Sequence, residues 1–166
     1  SLSCKKNKDN NSPKQIEHIL NYMSENSETF SSEGSESAKI NVEILTKIIV
    51  KAELENWKEL PIGASMTKVG LEFLGTNYVG YTLEYEPESC IVNLSGLDCV
   101  TFFESVLNIS RMIKKDNPSY QDLINEITFT RYRNGNLTDY TSRLHYTGEW
   151  IIDNVKKQVV KDITKE

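Results

Sequence analysis

No run of about 18 or more apolar residues occurs anywhere in the sequence, so no segment of it crosses a membrane as a helix. Cysteine is scarce. Cys4, Cys90 and Cys99 are too few and too irregularly spaced for a disulfide framework, and any pairing leaves one thiol over. There is no Cys-x-x-Cys pair and no His-rich stretch, so no metal site and no cofactor is expected. Positive charge is in deficit, with 19 Lys and Arg against 24 Asp and Glu and a net charge of -5. That balance argues against affinity gained by neutralising nucleic-acid phosphates or anionic lipid, so nucleic acid is not an expected partner. Internal repeats are absent as well.

What remains is 166 residues, 38% hydrophobic and 26% charged, the balance of an ordinary globular domain with a real core. The first residues, Ser1-Leu2-Ser3-Cys4, lack an initiator Met and lead into a Lys- and Asn-rich stretch. Small residues before a Cys and a hydrophilic tether after it resemble a bacterial lipoprotein junction. Two readings stand side by side, a lipid anchor through Cys4 and an arbitrary boundary. Residues Ser24 to Ser37 are nearly all Ser, Glu, Asn and Gly and cannot bury enough apolar area to fold, so 1–37 read as a flexible tether and 38–166 as the folded portion. Within the tether, Gln15 to Met23 has the spacing of a short helix.

Ile40, Ile44, Leu45, Ile48 and Ala52 recur at helical spacing and predict a helix ending before Pro61; a second runs from Pro61 to Gly75. Asn77 to Glu88 reads as irregular, and Cys90-Ile91-Val92-Asn93-Leu94 as a short strand. Asp98 stands where an N-cap belongs, ahead of an amphipathic helix from Cys99 to about Lys114 whose expected buried face holds Phe102, Phe103, Val106, Ile109 or Ser110, and Ile113. Asn117-Pro118-Ser119 ends it and starts another, from Tyr120 to about Thr130. Arg131 to Trp150 reads as turns and loops rather than core, with a last amphipathic piece from Trp150 to Val155.

Cys99 at a helix start has a chemical meaning. Only the thiolate is a strong nucleophile, and the unpaired N–H groups of a first helical turn favour an anion and can donate to an oxyanion. Position alone leaves a second reading open, a small core residue ahead of two Phe. Arg131, Arg133, Arg143, His145, Tyr146 and Trp150 gather the cations and rings of the second half. Guanidinium groups bind carboxylates and aromatic faces stack on sugars, so the set suits an anionic, sugar-bearing ligand, which the resemblance described next would make a muropeptide, and equally a solvated surface.

Gly75-Thr76-Asn77-Tyr78-Val79-Gly80-Tyr81-Thr82-Leu83-Glu84, Leu97-Asp98-Cys99-Val100-Thr101-Phe102, Arg131-Tyr132-Arg133-Asn134-Gly135 and Ser142-Arg143-Leu144-His145-Tyr146, followed by Trp150 and Asp153-Asn154, resemble in order the blocks of the bacterial N-acetylmuramoyl-L-alanine amidase-like family, placed in the NlpC-type branch of papain-like cysteine enzymes. The resemblance covers roughly residues 61–166. It implies an α+β papain-like NlpC-type fold and hydrolysis of the amide between N-acetylmuramic acid and L-alanine, with peptidoglycan fragments as partners. It also implies Cys99 as nucleophile and Tyr78 as the phenol that helps position the carbonyl, in the bacterial cell envelope; with the Cys4 reading the expected place is periplasmic or an outer-membrane lipoprotein, and the expected state is a monomer. Thr101 and Glu104 read as structural.

A base is missing from this pattern. His18 lies in the tether region, and His145 does not match the family's catalytic histidine, which belongs to a later His-Val-Gly-like block. The expectation is therefore a chain that stops before the family's sheet and base. The alternatives are a wall endopeptidase of the same superfamily and a catalytically silent muropeptide-binding piece.

Overall fold

The computed structural model describes residues 36–164. The expectations for Cys4, for the helix around His18 and for most of the tether fall outside the described residues. Helix α1 (Glu36–Leu54) begins two residues inside the expected tether, with Glu36 in the first turn where a carboxylate meets the positive end of the helix dipole. Its buried face is Asn41, Leu45, Ile48, Ile49 and Ala52, while Ile40 is exposed. A left-handed Asn56 ends the descent and a 3-10 turn, Trp57–Glu59, plugs the core with the Trp57 ring. The Lys114 ammonium holds that turn in place by donating to the carbonyls of Trp57 (3.2 Å), Lys58 (2.6 Å) and Leu60.

Pro61 sets the entry of α2 (Ile62–Glu72), in line with its fixed φ. Strand β1 (Asn77–Tyr78) pairs in parallel with β2 (Gly96–Leu97), and α3 (Cys99–Met112) starts immediately after β2. Helices α4 (Tyr120–Arg131) and α5 (Thr147–Lys156) complete the described residues. Two capping boxes fix the helix starts at the expected positions, Asp98 with Thr101 and Ser119 with Asp122. The main core gathers Leu45, Ile48, Trp57, Val69, Leu94, Ile109, Met112 and Leu123 from α1, α2, α3 and α4, each such side chain contributing about 2 kcal/mol through its burial.

Three sequence expectations are corrected. Residues 90–94 form no strand: Asn41 of α1 donates to the Val92 carbonyl (2.7 Å) and accepts from the Leu94 N–H (2.8 Å), so side-chain bonds replace a ladder. Phe102 and Phe103 are not on the buried face of α3. They remain partly exposed and meet Phe73 and Trp150 edge-on at ring separations of 6.2 and 5.3 Å. Arg131 to Trp150 consists largely of turns and 3-10 segments, as expected, but it is not excluded from the core. Tyr132, Arg131, Arg143, Leu144 and Trp150 are all buried, and Leu144 and Trp150 form a second apolar cluster with Leu107.

Candidate active site around Cys99

Cys99 is the first residue of α3, and it is exposed. The groups around it are set by the cap. One oxygen of Asp98 accepts from the N–H groups of Val100 (3.0 Å) and Thr101 (2.8 Å), and the Thr101 hydroxyl accepts from the Asp98 N–H (2.9 Å). Phe102 donates to the Asp98 carbonyl at 2.9 Å. Of the first-turn donors, the Cys99 N–H is thus the one with no partner among the described residues. Thr101 is structural, as its place in the sequence implied.

Tyr78 reaches the same place through backbone register. It lies opposite Leu97 in the parallel pair, and the next residue, Val79, donates its N–H to the Leu97 carbonyl at 3.1 Å. Leu97 is two residues before Cys99, so the pairing brings the backbone of Tyr78 close to the start of α3, and both side chains are exposed, Tyr78 at 77%. Gly96 permits the pairing: a Cβ there would lie 2.6 Å from a methyl of Val79, closer than side chains approach. The carboxamide oxygen of Asn93 shapes the turn ahead of β2, accepting from the Ser95 N–H (3.1 Å), the Ser95 hydroxyl (3.0 Å) and the Gly96 N–H (3.2 Å). The Asn-x-Ser-Gly run carried this turn in the sequence, though its role in seating Cys99 was not drawn from it.

The structure does not bring the six residues of the cation and aromatic cluster together at Cys99. The Arg131 guanidinium is buried against Glu104 (2.9 Å) and donates to the Ile91 carbonyl (2.6 Å). Burial alone would lower its pKa, but the Glu104 carboxylate outweighs that and holds it above its usual value. Arg143 is also buried, donating to the Leu83 carbonyl (2.8 Å) and to both oxygens of Glu84 (3.1 Å each). Trp150 packs on Phe103 and Leu107. These three are framework residues and not ligand contacts, because their polar or aromatic surfaces are already covered by the protein. Arg133, His145 and Tyr146 are exposed; Arg133 faces Glu149 at 3.5 Å, and His145 stacks on Tyr140 with its Nε2 2.7 Å from the Tyr140 carbonyl. No contact links His145 to Cys99.

The segment 83–91 is held by these framework residues. Arg143 takes its start and Arg131 its end, and the Tyr132 hydroxyl binds Glu88 (2.7 Å) and the Ser89 carbonyl (2.9 Å) between them. Burial, reinforced by the neighbouring Glu88 carboxylate, pushes the Tyr132 phenol well above its usual pKa. Cys90 lies in this segment, half-buried, and burial raises its thiol pKa, which suits an inert role. Among the described residues no group of three or more His, Cys, Asp or Glu is placed to hold a metal ion, and no helix is long and apolar enough to cross a membrane.

The AmiA-like family profile, described as N-acetylmuramoyl-L-alanine amidase-like, matches residues 68–166. No curated protein matches the chain significantly. Among solved structures, an N-acetylmuramoyl-L-alanine amidase from Bacteroides uniformis ATCC 8492 is similar at 34% identity and a TM-score of 0.55, over 58% of this chain and 40% of that one. A protein from Bacteroides fragilis described as a candidate xylanase is similar at 35% identity and a TM-score of 0.55, over 58% of this chain and 42% of that one. The chain therefore spans less than half the length of these relatives. With the match extending over residues 68–166, including the Cys99 helix and the framework that follows it, this chain belongs to the AmiA-like, N-acetylmuramoyl-L-alanine amidase-like family.

Proposed function

We propose that the protein carrying this chain hydrolyses the amide between the lactyl group of N-acetylmuramic acid and L-alanine, with Cys99 as nucleophile, in the bacterial cell envelope. The observation that carries the reading is an exposed thiol at the first position of α3 beside a backbone N–H left unspent by the Asp98 cap. Attack by sulfur on the amide carbonyl forms a tetrahedral adduct whose oxyanion accepts from that N–H, and the Tyr78 phenol, from the strand paired with Leu97, is a second donor. Collapse expels the L-alanine amine, protonated by the general acid, and water then releases the lactyl carboxylate and restores the thiol. The family membership and the B. uniformis relative support this bond as the target.

In this proposal the fold is of the NlpC-type, papain-like α+β kind, and the acid and base lie outside the described residues around Cys99. His145 is not assigned that role, since it stacks on Tyr140 and no contact joins it to Cys99. The test is product analysis with the whole protein on a muramyl peptide. The expected products are a muramyl sugar without peptide and a peptide beginning with L-alanine, with release abolished in Cys99→Ser at unchanged melting temperature. Undiminished release in that variant removes Cys99 as nucleophile, and cleavage inside the peptide would mark an endopeptidase.

A further inference from the structure

The first turn of α1 and the segment from Val79 to Asn93 enclose a groove of about 910 Å³. Asn41 ties its two walls together, donating to the Val92 carbonyl (2.7 Å) and accepting from the Leu94 N–H (2.8 Å). Arg143 and Tyr132 hold the loop wall from behind through the Leu83 and Ser89 carbonyls, so the groove is built into the fold. Tyr81 and Tyr85 line it at 91% and 67% exposure, and Val79 and Pro87 add apolar surface. Tyr81 holds a φ of 60°, a left-handed conformation that a bulky residue rarely adopts, so the backbone is strained where it presents that ring. Charge in the groove has one sign: Glu86 lines it, and no Lys, Arg or His does.

A segment of this chain has the complementary character. Ser12-Pro13-Lys14-Gln15 has the residues of a capped helix start, with Pro at the first helical position and Gln where a capping box closes. Ile16, Ile19, Leu20 and Met23 follow at i, i+3, i+4 and i+7, one apolar face on a helix of roughly three turns. A helix that short is marginal in water unless such a face is covered. Over residues 1–23, Lys5, Lys6, Lys8 and Lys14 outnumber Asp9 and Glu17, so the segment is cationic where the groove is anionic. The connection selects this groove over other apolar surface. Ser24 to Ser35 lead from Met23 to Glu36, and Ser37 and Ala38, in the first turn of α1, are themselves groove residues. A connection of that length reaches at most about 40 Å and gives an effective concentration on the order of millimolar. A contact too weak to hold two separate molecules together is therefore sufficient within one chain.

We propose that the groove is the docking site of the chain's own residues 13–23, with Ile16, Ile19, Leu20 and Met23 seated against Tyr81, Tyr85 and the first turn of α1. The docked helix covers the two phenol rings, and Glu86 faces the lysines that precede it. This interaction stands apart from the amidase reading, since neither Cys99 nor a residue next to it lines the groove.

Hydrogen exchange of the whole protein, read by mass spectrometry, tests it. Ile16→Asp together with Leu20→Asp is expected to speed exchange across both 13–23 and 79–93 about tenfold or more, while the core of α3 and α4 keeps its protection. Tyr81→Ala together with Tyr85→Ala, on the facing wall, is expected to speed exchange of 13–23 by a similar factor. Unchanged exchange of 79–93 in the Asp double variant overturns the proposal. So does a change that falls instead on 151–163, where Ile151, Ile152 and Ile163 are exposed, because the helix would then be seated there. Protection of 13–23 that weakens on about tenfold dilution of the protein also overturns it, since docking onto a second copy depends on concentration and docking within one chain does not.

Discussion

At the scale of single residues, the pair Glu104–Arg131 has the largest predicted effect on stability. Both side chains are almost fully enclosed, at 2% and 5% exposure, and each is the other's counter-charge. Removing the carboxylate strands a buried guanidinium. Glu104→Ala is therefore expected to destabilise the fold by about 3–5 kcal/mol, and Glu104→Gln, which keeps a hydrogen-bond acceptor, by less; denaturant titration of the three proteins decides. Gly96 acts through space rather than charge. Gly96→Ala is expected to push Val79 and with it Tyr78 out of register, lowering kcat/KM on a muramyl peptide more than it lowers the melting temperature. Neither role was visible in composition. Glu104 read as structural, but nothing local marked Arg131, 27 residues later, as its partner, so the arginine read as a ligand contact.

Helices were legible in the sequence because their signals are local. Asp98 and Ser119 each announce a start three residues ahead of the side chain that completes the box, and Pro61 marks another. The segment 90–94 misled for the opposite reason: its short apolar run fits a strand, yet its backbone partners are a side chain of α1 and the Arg131 guanidinium. The α4 cap gives a pH prediction. The Ser119 hydroxyl, then the Ser119 N–H and Lys115, hold Asp122 below the usual carboxylate range. A lowered folded-state pKa means stability that is present above the unfolded value, about pH 4, and is lost as pH falls through the folded one. The stability advantage of the parent over Asp122→Asn, followed by acid titration of thermal unfolding, is expected to be constant near neutrality and to shrink below about pH 4.

Across the whole molecule, the two halves of the chain have different tasks. The first half carries Tyr78, the exposed Tyr81 and Tyr85, and Cys99, and the second half holds the segment 83–91 in shape through Arg131, Tyr132 and Arg143. Arg143→Ala removes the charged contact to the Leu83 carbonyl, about 1.5–3 kcal/mol, and a weaker, solvent-screened pair with the half-exposed Glu84. It is expected to raise amide hydrogen exchange across 83–91 while the core of α3 and α4 stays protected. Exchange unchanged in that segment would show the loop to be self-supporting. The family blocks were readable as an ordered set, but the division of labour between them was not, since it depends on which polar groups end up enclosed.

The long reach of those bonds has a consequence for biosynthesis. Ile91 and Arg131 are 40 residues apart, and Leu83 and Arg143 are 60 apart. Because synthesis runs from the N-terminus, the segment 83–91 is made before Arg131 and Arg143, which hold it. During that interval the segment lacks its anchors, so its shape is fixed only once residue 143 has been added.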